Sequence, residues 1–231
     1  MDPIIFTPRL KLTLVTKAER GSPELEWLHE LRSSKEATWW SIHGQSKSIE
    51  DTESNMKHYL PAGGEENSYR VVYVVHKILE PLDSAAENQA HIKDQREKPT
   101  EVAGLVILKS LDAGNLAIPE ELTVPAAAAS TTLTTELGYS FLPTGWGKGY
   151  ATESLKAVLE SCKRAQSFWA PFSKVYVRAI VNEENPASLR VMEKAGVPKK
   201  GVYVAEGEPI FLAGKWRGMA NLHIYGMYLI E

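Results

Sequence analysis

Hydrophobic and polar positions alternate along this chain with two periods, and the switches between them predict the element order. Residues 9–15 alternate apolar and polar, the pattern of a half-buried strand. At Ser22 the period lengthens. Ser22 reads as an N-cap, Pro23 as the first helical residue and Glu24 and Glu26 as first-turn acids. Leu25, Leu28 and Leu31 then recur at helical spacing, which fades near Ser33. Ser48 opens a second helix running to about Leu60, where Pro61 and two glycines stop it. Residues 69–78 are β-branched and aromatic and predict a buried strand, paired antiparallel with the next, 101–108. A strand over 133–142 leads into an amphipathic helix over 150–165, with Leu155, Val158, Leu159 and Cys162 on one face. A strand over 174–181, a short helix over 185–195 capped by Gly196, and strands near 200–205 and 221–230 complete the order. Residues 80–100 are polar without apolar periodicity and read as a surface insertion. Residues 112–131 read as a second long loop in which the Ala126–Ala129 run admits a short helix.

The strand–helix–strand step from 133 to 181 predicts one parallel pair with a right-handed crossover, and the remaining strands fit antiparallel neighbours. The fold class is therefore α/β (an α+β mixed sheet), a central twisted sheet of about seven strands flanked by about four helices. The 231 residues read as a single domain, 1–231, with insertions near 80–100 and 112–131 and no internal repeat.

Composition narrows the function classes. Hydrophobic residues make up 43% and charged residues 24%, as in globular proteins. Net charge is −3, from 26 basic and 29 acidic residues, too balanced for a nucleic-acid binder driven by phosphate neutralisation. The lone Cys162 supports neither a disulfide framework nor a cysteine metal site, and no metal is expected. No window approaches the ~20 apolar residues of a membrane span, and residues 1–14 lack an apolar run behind a basic start. The expectation is a cytoplasmic protein, monomer or homodimer, with no membrane or nucleic-acid partner.

Chemistry concentrates in two stretches. Gly145, Gly147 and Gly149 alternate between a strand and a helix, an arrangement that points backbone N–H groups and a helix N-terminus at an anion. It is not an ATP-type loop, because Lys148 is followed by Gly149 rather than Ser or Thr. It is not a dinucleotide fingerprint either, because Glu183 and Glu184 lie too far on. A plain tight turn is the competing reading. The second stretch runs from Asn182 to Gly196, and helix capping alone accounts for Asn185 and Pro186. Its place after the strand that follows the glycine loop puts both loops at one edge of adjacent parallel strands, where open α/β sheets bind ligands.

Here a resemblance becomes specific. Thr144-Gly-Trp-Gly-Lys-Gly resembles the acetyl-CoA loop of the GNAT superfamily, the Gcn5-related N-acetyltransferases, with Gly147 and Gly149 on its two small positions. Asn182, Asn185, Ser188, residues 191–194 and Gly196 resemble its second signature. The wording is most similar to the branch of ribosomal-protein alanine N-acetyltransferases. Arg9-Leu10 and the helix start at Ser48 also fit, and the resemblance covers most of the chain outside the two insertions. Three positions depart from the pattern. Thr144 stands where Arg or Gln is usual, Val197 where Phe is common, and Met192 near the place of a tyrosine general acid.

The resemblance implies an acetyl-CoA-dependent N-acetyltransferase that passes acetyl directly to a primary amine, either a protein N-terminus or a small molecule. The pyrophosphate would meet Thr144, Gly145, Trp146, Gly147, Lys148, Gly149, Tyr150 and Ala151. The pantetheine arm would meet Phe141 and Leu142 on one side and Asn185 and Ser188 on the other. Lys194 reads as a solvated helix residue that could approach the nucleotide phosphate. An incoming ammonium must lose a proton, and Glu136 is the first candidate to take it, directly or through water; Ser140 is the second. Tyr203 and Tyr225 are candidate acids. Trp39 and Trp40 would wall the acceptor, with His43 nearby and residues 211–216 closing from the opposite side. The alternatives are a catalytically inactive CoA-binding module and a non-catalytic interaction protein.

Overall fold

The computed structural model describes residues 1–61, 68–79, 98–112 and 114–231. The predicted insertion at 80–100 lies, up to residue 97, outside the described residues. Eight strands form one sheet: β1 (Ile4–Phe6), β2 (Leu10–Leu14), β3 (Arg70–Ile78), β4 (Thr100–Ser110), β5 (Thr132–Phe141), β6 (Lys174–Asn182), β7 (Lys199–Leu212) and β8 (Lys215–Ile230). Their spatial order is β1-β2-β3-β4-β5-β6-β8-β7. Among the described residues only β5 and β6 are parallel; every other pair is antiparallel. The α-helices among the described residues are α1 (Pro23–Ser33), α2 (Ile49–Met56), α3 (Tyr150–Arg164) and α4 (Pro186–Ala195).

Three of these four helices begin where a side chain caps them. The Ser22 hydroxyl accepts the Leu25 N–H at 3.3 Å, and the Ser48 hydroxyl accepts that of Asp51 at 3.2 Å. The Asn185 side chain accepts the Ser188 N–H at 3.1 Å, and α4 ends at Gly196 with φ +79°. The period-2 pattern of the strands then separates two cores. Leu10, Leu12, Tyr73, Leu137, Phe141 and Val177 pack beneath α3 and α4. Val72, Val74, Leu105, Leu28, Leu31 and Met56 pack on the opposite face, beneath α1 and α2.

The sheet departs from the sequence expectation in three places. There are eight strands rather than about seven, because β1 is a three-residue edge strand too short to show a period. The second helix ends at Met56 and continues to Leu60 only as turns. The tail strands are far longer than 200–205 and 221–230. They form one long hairpin around a tight turn at Ala213 (φ 51°) and Gly214 (φ 79°). Gly207, Pro209, Gly214 and Gly218 read locally as loop, yet β7 absorbs the extra residues as a bulge between Glu206 and Ile210 while β8 stays continuous. In the loop preceding β5, two 3₁₀ turns appear, Glu120–Leu122 and Ala126–Ala128.

Candidate functional site: the cleft between β5 and β6

The parallel pairing of β5 with β6 runs from Thr132 opposite Lys174 to Glu136 opposite Arg178 and stops there, although both strands continue. Beyond that point β5 stays with β4 and β6 with β8, so the two strands diverge into a V. The Thr134 carbonyl accepts from Leu111 at 3.2 Å, and the Leu142 N–H donates to Ala103 at 2.9 Å. These two bonds set the alternation along β5: even residues bond toward β4, and Leu137, Tyr139 and Phe141 turn their backbone groups toward the cleft. Ala103 is the extra residue of a bulge in β4 opposite Val75 and His76. Beside it, Gly104 makes room for Phe141, whose ring would lie 2.4 Å from any added Cβ.

At the open end of β5 the chain makes a 3₁₀ turn over Pro143–Gly145 and enters α3 through Gly149. Gly147 and Gly149 have φ of +70° and +80°, values that cost an L-residue of the order of 1 kcal/mol. No side chain caps α3, so its first N–H groups are unspent and carry the positive end of the helix dipole. The loop is held from outside. Arg9 donates to the Lys148 carbonyl (2.9 Å) and to Glu153 in the first turn of α3 (2.8 Å), and its guanidinium lies 5.1 Å from the Tyr150 ring. Thr7 donates to the other Glu153 oxygen at 2.6 Å.

The vertex of the V holds an ion pair. Arg178, whose side chain is only 3% exposed, approaches Glu136 Oε2 at 2.8 Å through Nη2 and 3.0 Å through Nε. Nη2 also donates to the Leu116 carbonyl at 3.0 Å, tying the loop before β5 to the vertex. Both Glu136 contacts use Oε2, which leaves Oε1 for a further donor. On the α3–α4 side of the cleft the Tyr139 hydroxyl bonds the Ser188 hydroxyl across the V. Burial pushes the Tyr139 phenol up to about 12, so it keeps its proton at neutral pH.

On the α1–α2 side a ring of contacts spans the open end. The Ser140 hydroxyl donates to the Ala37 carbonyl at 2.6 Å, and the Ala213 N–H donates to the Trp39 carbonyl at 3.0 Å. Arg217 lies 5.1 Å from the Trp40 ring and donates to both oxygens of Glu184, at 2.8 and 3.2 Å. Glu184 follows β6 almost directly, so the ring runs from β5 through the Trp39–Trp40 segment and the hairpin tip back to β6. Arg32 ties that segment to α1 through Ser41 (3.1 Å) and the Gly44 carbonyl (2.8 Å).

An acetyltransferase (GNAT) domain model matches residues 9–197. The chain belongs to the GNAT acetyltransferase family. No curated protein sequence matches it. Solved structures share the fold at low identity. A GNAT-family acetyltransferase from Bacillus anthracis is 19% identical over 98% of both chains, with a TM-score of 0.56. A spermidine N-acetyltransferase from Vibrio cholerae, solved with CoA and spermine, is 18% identical over 94% of this chain and 95% of its own, with a TM-score of 0.56.

Within this GNAT domain, the residues singled out from sequence fall into three groups. Gly145, Gly147, Gly149, Tyr150 and Ala151 lie together on the loop and helix start, with Gly145 buried and Thr144, Trp146 and Lys148 exposed. Glu136 and Ser140 share the β5 face toward α1 and α2, but the Ser140 hydroxyl is committed to Ala37. Trp39 and Trp40 stand in the ring. Leu142 is a correction. Its N–H goes to Ala103 and its carbonyl to Gly145, so it turns toward β4 and the loop, not the cleft. The Phe141 carbonyl faces the cleft but accepts the Trp146 indole N–H at 2.7 Å. Asn185 spends its side-chain oxygen as the α4 cap. Tyr225 is buried among the α3–α4 core, and Met192 is fully buried. Lys194 is exposed on the last turn of α4. His43 packs edge-on against Tyr59. Desolvation there, with Arg32, His58 and Lys109 facing it, lowers its pKa.

Sequence reasoning missed Arg178, Tyr139 and Arg217. Arg178 carried a signal, since it is the lone charge inside the apolar run of β6. Tyr139 looks like an ordinary strand aromatic, and Arg217 lies in a stretch that reads as loop. Arg9 reads from sequence as a strand start; its grip on Lys148 and Glu153 joins elements far apart in sequence.

Proposed function

We propose that this GNAT domain transfers an acetyl group from acetyl-CoA to a primary amine in the V between β5 and β6. The observation that carries the reading is the divergence after Glu136 and Arg178. It frees the cleft-facing backbone of β5 directly beside an uncapped helix N-terminus with two left-handed glycines. The residues fit the cofactor. Backbone N–H groups of 147–151 would hold the pyrophosphate. The backbone of Tyr139 and the Phe141 N–H would meet the amide-bearing arm, with Asn185 and Ser188 opposite. Arg9 supplies a cation beside the loop, at a site where Thr144 offers none.

When bound, acetyl-CoA supplies an acetyl group activated as a thioester. Glu136 receives the proton of the incoming ammonium on Oε1, directly or through one water, while Arg178 keeps its carboxylate in place. Tyr139 and Ser188 present a hydroxyl pair on the α3–α4 side of the cleft, able to return a proton to the leaving sulfur. A protein N-terminus and a small amine are both acceptors of this chemistry. Calorimetry with acetyl-CoA, followed by thiol release with a panel of amines, tests the reading. Micromolar binding and amine-dependent thiol release are expected; no heat at high micromolar acetyl-CoA would sink it.

A further inference from the structure

Resting on the acetyl-transfer reading, we infer that the acceptor is a monoamine with an uncharged, apolar substituent, and not a polyamine. A polyamine carries ammonium groups beyond the reacting one, and each loses water as it enters the cleft. Such charges are tolerated where carboxylates meet them. Among the described residues, the carboxylates at the vertex and on the ring across the open end of this cleft, Glu136 and Glu184, are each matched by a cation. Glu136 is paired with the buried Arg178. Glu184 takes two bonds from Arg217 and one from Lys215, and these hold its pKa down at about 2. Glu183 and Glu36 keep their charge, meeting only the neutral donors Asn221 at 2.8 Å and Ser34 at 3.4 Å, but both are exposed, where water screens them.

The cations are less fully matched. Arg32 is 9% exposed, and it donates to a hydroxyl and a carbonyl rather than to a carboxylate; its Nε has no hydrogen-bond partner. Lys109, bonded to Asp112, and His58 add to the positive field that depresses His43. The aromatic surface is not a substitute for negative charge, because one guanidinium already lies against Trp40 and the Gly214 backbone packs under Trp39. What Trp39 and Trp40 offer an acceptor is apolar area.

The test compares phenethylamine with spermidine in a thiol-release assay at saturating acetyl-CoA. The monoamine is expected to have the higher kcat/KM by about 10-fold or more. Replacing both cations on Glu184 (Lys215→Met with Arg217→Met) frees a carboxylate at the rim. It should move the ratio toward spermidine by about 10-fold with acetyl-CoA affinity unchanged by calorimetry. If the double variant does not fold by circular dichroism, the wild-type ratio decides alone. A wild-type ratio at or below one overturns the inference, as does a protein that binds acetyl-CoA but uses neither amine. Failure to bind acetyl-CoA is a separate result, which removes the reading underneath.

Discussion

In the loop after β5 and the first turn of α3, the groups presented to a ligand are backbone N–H groups. They come from one continuous stretch, and Gly147 and Gly149 set their direction through left-handed φ angles. Across the same V, the acceptor rim presents side chains from four segments. Trp39 and Trp40 precede α2, Ser140 ends β5, Glu184 follows β6 and Arg217 descends from the hairpin tip. In the proposed reading, the backbone edge would recognise what every acetyl-CoA shares, phosphate charge and amide groups, with little need of side-chain identity. The rim would recognise what differs between acceptors, and there each contact depends on which side chain a distant segment delivers. A family can therefore keep the first region while exchanging the second.

Four substitutions would break or sharpen that contrast. The largest effect is expected from Gly147→Glu, which forces a side chain into φ +70° and adds a carboxylate where the pyrophosphate would sit. Acetyl-CoA binding should weaken by more than about 100-fold in calorimetry while far-UV circular dichroism stays unchanged. Retained binding would mean that the loop is not the phosphate site. Glu136→Gln keeps the shape and a bond to Arg178 but removes the base. We expect kcat/KM for the amine to fall about 100-fold or more with acetyl-CoA affinity preserved. An unchanged rate would assign proton removal elsewhere.

Arg9→Ala tests whether the backbone edge depends on side chains at all. It removes the Lys148 carbonyl contact and the cation beside the loop, and an increase of about 10-fold in the acetyl-CoA Kd is expected. Arg32→Met is its counterpart on the rim, loosening the segment from Ser41 to Gly44. The acceptor KM should rise by about 5-fold while the acetyl-CoA Kd stays put, and a shift in Kd alone would contradict the division between the regions.

Tyr139 bridges the two arms and supplies the pH test. Its phenol titrates near 10 when unfolded and at about 12 in the fold, so the stability tied to the protonated form is complete below pH 10. That stability is lost as pH rises through about 12. Tyr139→Phe should flatten the fall of Tm above pH 10, and equal slopes for both proteins would refute the burial of this hydroxyl.

Local signals made most of the elements legible. Capping residues placed α1, α2 and α4, apolar periodicity placed α3, and β-branched runs placed β3 to β6. The strand–helix–strand step implied the parallel pair. The glycine loop was legible because both its conformation and its chemistry reside in consecutive residues. The hairpin was less legible. Gly207 and Pro209 weaken strand propensity locally, but pairing with the uninterrupted β8 overrides them. The acceptor rim was legible as a pair of tryptophans facing residues 211–216, but not as the contacts that Arg217 makes there.

By itself, then, the sequence determined the order of elements, the parallel pair and the loop that opens α3, because period, caps and glycines act over a few residues. Tertiary structure alone decided that the V opens after Glu136, that Arg178 holds Glu136 and that Tyr139 meets Ser188. It also decided that Arg217 claims Glu184 and the face of Trp40. Those contacts join residues 33 to 177 positions apart, or bring partners from separate elements to one point. Which carboxylate is paired and which backbone edge is free depends on how far two strands diverge, and no local pattern encodes that distance.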